Sequence, residues 1–435
     1  MNRVVCLIVG VAFTASFAFA DEPEYEKAPI NYSTRTPTDP MAVVKDAVEK
    51  NKTTLEYQTK TGYLEALLRE LKISPSSQTL VFSKTSFQGT KISPRHPRAV
   101  YFNDDTYVGY VHNGDVLEVV STDPQWGEMF YTVAQHSDSP KIVRETENCL
   151  SCHGNSFTGN LPGVMTRSVF SNEDGQPILP AGTMITTHRA QLKDRWGGWY
   201  VTGNLGEQSH MGNTLWQEQD GAQQMPQNVL TFKTDSEELG KHIKLADYLE
   251  PTSDVVALMV LNHQVEAHNR ITRAAFDTLR ALRDESVINE AMGEKPAPGE
   301  HSESTTRRIK SACEPLIEYL FFYGEPALTS PISGSPDFTN EFQSRGPRDS
   351  KGRSLRDFDL KMRLFKYPCS YLIYSKSMDS LPEAAKDYVN RRLLEVLSGK
   401  DTSKPFAHLS AEDRSAILQI LKETKPSLRD AWERS

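Results

Sequence analysis

The sequence lacks an excess of basic side chains. Its 435 residues include 49 Lys and Arg against 57 Asp and Glu, which gives a formal net charge of -8 at pH 7. Because contacts with phosphates need a basic surface, this balance argues against a general nucleic-acid-binding protein. A P-loop, a Rossmann glycine fingerprint and a Ser/His/Asp arrangement are also missing. Hydrophobic residues make up 38% and charged residues 24%, a balance typical of globular rather than disordered or fibrous chains.

Long apolar runs are scarce as well, and the one that resembles a membrane span is residues 1–20. Arg3 gives this run a positive start, residues 4–13 are apolar, and the small Ala20 fits signal-peptidase cleavage after it. Two polar residues interrupt the run, whereas an uncleaved anchor helix needs about 20 apolar residues. We therefore expect a periplasmic or otherwise exported protein whose mature chain begins at Asp21 and has no transmembrane anchor.

Cysteine is also scarce, and four of the 5 cysteines remain after that cleavage. Cys149 and Cys152 are followed directly by His153, which is the C-x-x-C-H pattern of c-type haem attachment. The two thiols bond to the porphyrin vinyl groups as thioethers, and the adjacent histidine offers its imidazole as the proximal iron ligand. The expected export agrees, since c-type maturation takes place outside the cytoplasm. The sequence therefore predicts one covalent haem c, attached at Cys149 and Cys152, with His153 on the iron.

Two other interpretations of the C-x-x-C spacing are weaker. A thioredoxin-like redox pair needs a strand before the motif and a helix after it, yet residues 154–156 are Gly-Asn-Ser and carry no helical pattern. A structural zinc site needs a second C-x-x-C, which the sequence does not contain. We expect instead a short helix over residues 140–148 that leads into the motif.

The second axial ligand of the iron is less well defined. The candidates downstream are Met165, Met184, His188, His210 and Met211. His210 and Met211 are favoured because they lie in an irregular, glycine-rich stretch, and ligands are often held on loops of a rigid scaffold. Most methionines fill cores, and an open or water-bound iron is the alternative.

Aromatic and cationic side chains downstream of the motif fit either a haem wall or a core corner. Haem needs aromatic cover, and its propionates pair with cations. The residues concerned are Trp196, Trp199 and Tyr200, with Arg167, Arg189 or Arg195 as propionate partners.

The pattern of the whole chain predicts an α+β fold. We expect a helix plus an antiparallel β-rich region over 21–140, a haem-binding segment over 141–234 and a helical region over 235–435. Some 80 residues after the motif alternate like strands, which argues against a compact class I cytochrome c. The clearest local signals are hairpin strands at 107–112 and 115–120 around Asn113-Gly114, strands such as 164–170 and 198–202, and helices at 40–71, about 252–283, 306–323, 381–397 and 410–422.

Four polar residues of the helical half admit structural roles. His263 and His268 are five positions apart on the long helix, so they do not form an i, i+4 metal pair and we expect structural roles. Cys313 and Cys369 form either a disulfide or two buried free thiols, and the sequence leaves both open.

The chain resembles large exported mono-haem cytochrome c domain proteins of environmental bacteria. The resemblance spans most of the mature chain and rests on the haem motif together with residues 82–86, 97–102, 195–203, 210–213 and 370–375. It implies haem binding and electron transfer, and it carries over to Cys149, Cys152 and His153 alone.

The function expected from these features is electron transfer by an exported c-type cytochrome, with a redox partner protein or a small-molecule donor or acceptor. A simple shuttle needs only about 100 residues, so two alternatives stay open. One is a periplasmic haem oxidoreductase with an open iron that acts on a small molecule. The other is a non-enzymatic ligand sensor or electron-entry subunit.

Overall fold

The computed structural model describes residues 22–135, 139–219 and 225–433. The α+β class is confirmed, because an antiparallel sheet in the N-terminal half is followed by a helical C-terminal half. The main sheet is a six-stranded meander in which neighbours in sequence are neighbours in space. Its strands are β1 (Thr79–Val81), β2 (Arg98–Phe102), β3 (Thr106–Tyr110), β4 (Val116–Asp123), β5 (Gly127–Ala134) and β6 (Ile142–Arg144).

The remaining elements surround this sheet. Two small hairpins pair β7 (Arg167–Val169) with β8 (Thr183–Ile185) and β9 (Thr214–Gln217) with β10 (Gln227–Thr231). The helices are α1 (Pro40–Glu49), α2 (Leu64–Glu70), α3 (Leu150–His153), α4 (Ser236–His242), α5 (Val255–Met292), α6 (Glu303–Leu320), α7 (Pro336–Ser344), α8 (Lys376–Asp379), α9 (Glu383–Leu397), α10 (Ala411–Thr424) and α11 (Pro426–Glu433).

The hairpin predicted around Asn113-Gly114 is confirmed as β3 and β4, with Gly109 opposite Glu118. Its turn differs from the two-residue type I′ turn that the Asn-Gly pair favours. The connection has five residues, and only Asn113 is left-handed, at φ 58. The Gly114 amide donates to the Val111 carbonyl at 2.8 Å and closes a wider turn. Alternation thus specified the strands, while the loop length selected the turn type.

Helix α5 is the central helix of the fold. Asp254 caps it by accepting a hydrogen bond from the Ala257 amide. Its first two turns, from Val255 to Leu261, are entirely buried because they are apolar on every side. At 38 residues the helix is about 57 Å long. It packs against β5 on the sheet and against α6, so it connects both halves of the chain.

One hydrophobic core runs from Tyr25 to Trp432 and crosses the expected segment boundaries. Three local expectations are wrong. The single helix over 40–71 is two helices, α1 and α2. The segment 198–202 forms isolated bridges rather than a strand. The segment 140–148, predicted as a helix, instead contains β6, whose residues pair with β5. The edge strand of the sheet offers backbone hydrogen-bond partners that local propensity does not reveal.

The predicted cleavage after Ala20 lies outside the described residues. Within the described ranges, the structure contains no helix whose length and apolar character suffice to cross a membrane.

Candidate functional site

The C-x-x-C-H motif lies at a cavity of about 230 Å³ on one face of the main sheet. Two rows of side chains, each row built from directly opposed residues on adjacent strands, form the floor. One row is Val100, Gly109, Glu118 and Thr132, and the other includes Tyr107, Val120 and Phe130. Leu261 and Val265 of α5 close one side. The motif therefore faces a pocket whose floor is largely made by strands that precede it in the chain.

All three residues of the predicted attachment site line this cavity: Cys149, Cys152 and His153. Cys149 directly precedes the one-turn helix α3, which contains Cys152 and His153, so the three residues lie within about one helical turn of each other. Cys149 is half-buried, and Cys152 is exposed at the cavity mouth. Burial, together with the charges of Glu145 and Glu118, raises the pKa of the Cys149 thiol to about 12.

His153 is held from two directions by the loop that follows it. Its Nδ1 lies 2.9 Å from the Gly163 carbonyl oxygen, and the Gly163 amide donates to the His153 carbonyl at 2.9 Å. Asn269 of α5 fixes the next residue, since its side chain bonds both the amide and the carbonyl of Val164. A Cβ at Gly163 would overlap the Asn269 side chain, so glycine is needed for this close approach.

The hydrogen bond to Gly163 determines which nitrogen of His153 is available. An Nδ1–H that donates to a carbonyl leaves the lone pair on Nε2 for a metal. Among the described residues, none is hydrogen-bonded to Nε2. Burial lowers the pKa of His153, which favours the neutral imidazole that a metal requires. The Phe130 ring, 5.1 Å away, packs against the imidazole.

The donor set and the lining fit a covalently attached haem. Two cysteines and one oriented imidazole line a cavity whose floor mixes apolar with polar side chains, and these are the donor groups that c-type attachment requires. Two cations at the lining, Arg98 and Arg167, suit carboxylate propionates. Arg98 is paired with Glu118, but its Nε is buried without a partner. Such an unpaired buried donor is costly, and an additional carboxylate would satisfy it.

The structure separates the five candidates for the second axial position. Met165 lines the cavity, and the other four candidates do not. His188 is buried elsewhere, with its Nδ1 at 2.9 Å from His263 Nδ1, and Met184 is exposed on β8. His210 and Met211 lie outside the cavity lining.

The surroundings of His210 and Met211 show why neither reaches the cavity. The His210 ring packs edge-on against Trp196, and burial lowers its pKa to about 4. Met211 Sδ accepts from Ser168 Oγ at 3.7 Å. In this arrangement neither side chain is brought to His153, and the assignment of either one to the iron stays a prediction.

Of the aromatic and cationic residues predicted to form a haem wall, one aromatic residue and one arginine lie at the cavity. Trp199 and Arg167 line the cavity. Trp196 instead donates to Asn262 in the core, and Tyr200 donates to the Pro94 carbonyl. The guanidinium of Arg195 donates to the backbone of His188 and Ala190, and that of Arg189 to the Tyr323 carbonyl. These last four side chains therefore build the fold around the site rather than the site itself.

A buried polar network lies behind the cavity wall. The hydroxyl of Tyr107, which lines the cavity, accepts from Gln264 Nε2 at 3.0 Å and lies 3.1 Å from His268 Nδ1. His268 Nδ1 is also 3.1 Å from the carboxylate of Glu128, which Thr122 hydroxyl contacts. Glu128 is 0% exposed and His268 is 1% exposed. The expected structural role of His268 is thus an ion pair, and Gln264 shares its face of α5.

The two cysteines of the helical half are buried and free. Cys313 belongs to α6, and burial raises its pKa to about 12. Burial also raises the pKa of Cys369. Of the two alternatives left open by the sequence, the structure has the free thiols.

Sequence reasoning missed the floor of the cavity. Arg98, Tyr107, Glu118 and Phe130 line it, although they precede the motif by some 20 to 50 residues. The alternation of β2 to β5 shows which residues share a face, as Arg98 and Val100 do. No local signal tells which face meets the motif, because that depends on where the chain returns after β6.

Among the residues that the structure describes, no three or more His, Cys, Asp or Glu side chains are grouped to hold a metal ion. Comparison of the chain with protein-family models, with curated proteins and with solved structures found no match.

Proposed function

We propose that this chain is an exported c-type cytochrome that carries one covalent haem and passes single electrons in the periplasm. The observation that carries the proposal is the hydrogen bond between His153 Nδ1 and the Gly163 carbonyl, in a cavity that both cysteines of the motif line. That bond leaves Nε2 as the ligating nitrogen. A bound haem supplies an iron that cycles between the ferric and ferrous states.

Each part of the cavity has a defined role in this proposal. Cys149 and Cys152 supply the two thiols, and Asn269 positions His153 through the Gly163–Val164 loop. Arg167, and Arg98 through the Nε that its pairing with Glu118 leaves free, would hydrogen-bond the carboxylates of the bound group. Phe130 and the apolar side chains of the sheet and α5 exclude water, which raises the free-energy cost of a charge change at the site and so tunes its potential.

Substitution of Gly109, which lies on the cavity floor, tests whether a haem binds on this face of the sheet. A Cβ at Gly109 would make ordinary contacts at 3.5 Å with Arg98 and Glu118. Gly109→Ala should therefore retain haem, whereas Gly109→Leu should lose most of it because the longer side chain fills the cavity. Both variants are expressed with the c-type maturation machinery and compared by haem-stained denaturing gels, with circular dichroism to check folding. Full haem content in a folded Gly109→Leu variant would contradict a haem on this sheet face.

A second candidate function is favoured by the lining itself. Of the five candidate ligands, Met165 lines the cavity and His210 and Met211 do not. Met165 would therefore be the candidate available to a bound haem as a second ligand, and without it the iron would be open to small molecules. An open iron suits a periplasmic haem oxidoreductase that acts on a small molecule, or a ligand sensor, since a small molecule reaches the metal directly.

Carbon monoxide binding to the ferrous protein distinguishes these functions. If Met165 closes the site, the wild type is low-spin and binds carbon monoxide slowly, and Met165→Leu, which conserves volume, binds it fast. High-spin wild-type protein with fast binding would favour the oxidoreductase or sensor. His210→Ala should leave both spectra unchanged, and a spectral change in that variant would restore His210 as the ligand.

A further inference from the structure

A basic cleft lies beside the loop that follows the haem motif. It has a volume of about 710 Å³ and is bounded by the second half of α5, the first turns of α6 and the segment 24–28. Its basic side chains are Lys27, Arg273, Arg280, Arg283, Arg307 and Arg308, and its acidic ones are Glu24, Asp277 and Asp284. Six cations therefore face three carboxylates in a chain whose net charge is -8. The cleft is locally positive while the rest of the molecule is strongly negative.

The carboxylates of the cleft are already engaged. Arg280 pairs with Glu24 at 3.3 Å and with Asp277 at 2.6 Å, and Arg308 pairs with Asp284 at 2.9 Å. Arg283 is exposed and donates to a backbone carbonyl, that of residue 28. Arg307 pairs with Glu303, a fourth carboxylate that lies outside the cleft lining, at 3.0 Å. Six cations still exceed these four carboxylates, and five of the six are arginines, whose planar donor groups suit additional carboxylates.

The wall of the cleft is joined to the haem-motif loop. Arg273 donates to the Gly159 carbonyl six residues after His153. A Cβ at Gly154 would lie 2.7 Å from the Tyr25 hydroxyl, so the N-terminal segment also rests on this loop. Along α5, Arg273 follows the cavity-lining Val265 by eight residues, which is about 12 Å. A molecule docked in the cleft would thus lie close to the exposed end of the site.

We propose that this cleft docks an acidic surface of a protein redox partner, an inference that rests on the proposed electron-transfer function. Local positive charge on a negative molecule steers an acidic partner to one face and repels it from the others. That face is the one next to the haem-motif loop, which is the orientation that exchange of one electron needs.

Binding is tested with a fluorescein-labelled hexaglutamate peptide and the mature protein at low ionic strength. Arg283→Glu with Arg307→Glu changes two exposed cleft residues without touching the cavity. Lys400→Glu with Lys404→Glu makes the same change in net charge on exposed residues outside the cleft. We expect the cleft pair to weaken binding at least tenfold, the control pair less than twofold, and the milder Arg283→Gln with Arg307→Gln by an intermediate factor. Equal weakening by the cleft and control pairs, or no binding by the wild type, would overturn the proposal.

Electron transfer provides the second measurement. Ferricyanide, a multivalent anion, takes one electron from the ferrous protein and becomes ferrocyanide, and stopped flow gives the second-order rate. The cleft pair should slow this rate several-fold at low salt and much less at high salt, where charges are screened, while the control pair should not. Slower ferricyanide reaction without any peptide binding would indicate a small-anion site and refute protein docking. A chain without haem gives no rate at all, yet the peptide measurement still tests the cleft, so the two proposals fail separately.

Discussion

The buried ion pair of Glu128 and His268 should stabilise the fold more at low pH than at high pH. A single substitution, Glu128→Gln, should reverse this dependence on pH. Burial alone lowers the pKa of His268, but the hydrogen bond and charge of Glu128, with smaller contributions from Asp105 and Asp104, outweigh it and raise that pKa. The folded-state pKa thus lies above the unfolded value near 6.5. The pair's contribution to stability is fully present below pH 6.5 and is lost as the pH rises through the folded-state pKa.

Glu128→Gln keeps the shape and a hydrogen-bond acceptor for Thr122 but removes the charge. With that charge gone, burial is the dominant effect on His268, so protonation of His268 then disfavours the fold. Removing one member of a buried ion pair costs about 3–5 kcal/mol. Since the glutamine amide retains part of the bonding, we expect the variant to lose about 3 kcal/mol of unfolding free energy at pH 6 and clearly less at pH 9.

Urea unfolding at pH 6 and pH 9, followed by circular dichroism, measures these differences. Glu290→Gln on an exposed position of α5 is the matched control, and it should change stability by less than about 0.5 kcal/mol at either pH. A loss for Glu128→Gln that is equal at both pH values would refute the ion pair as its cause. A loss below 1 kcal/mol at pH 6 would refute the buried pair altogether.

Three other results are expected. Burial lowers the pKa of His263 to about 3, so the unfolded chain takes up the extra proton below pH 6.5, and this residue alone should lower the stability by about 2 kcal/mol between pH 7 and pH 5. His263→Gln should remove that part of the total fall, and an unchanged fall would contradict it. Thiol titration of unfolded, haem-loaded mature protein should count two groups, Cys313 and Cys369; four would mean no thioethers, and none would mean thioethers plus a disulfide. Mass spectrometry of the mature chain should begin at Asp21, and a chain that begins at residue 1 would contradict export.

The sequence was sufficient to predict an element where the pattern lies within that element itself. Alternation on both sides of Asn113-Gly114 specified β3 and β4, and the helical pattern from about residue 252 specified α5. It was insufficient where a segment takes its structure from a distant partner. The Gly198 carbonyl accepts from the amides of Phe82 and Ser83, so residues 198–202 pair with the region of β1 only through single bridges. Such contacts, more than 100 residues apart, leave no local pattern.

The same contrast between local patterns and long-range contacts applies to the residues of the candidate site. The adjacent Cys152 and His153 predict haem attachment, because that chemistry requires the spacing itself, and the structure brings both residues to one cavity. The second axial position has no such spacing, and the glycine-rich stretch that favoured His210 is packed against Trp196 instead of the cavity. The floor of the cavity depends on which face of the sheet the motif returns to, which only the assembled fold determines.

The central claim is a covalent haem at the motif, and intact-mass spectrometry of denatured mature protein tests it most directly. Protein expressed with the c-type maturation machinery should carry the mass of one haem after acid-acetone extraction, and Cys149→Ala with Cys152→Ala should carry none. His153→Ala should keep the thioethers, or part of them, but lose the wild-type absorption spectrum. A wild-type mass without haem, or haem that acid-acetone removes, would contradict the account.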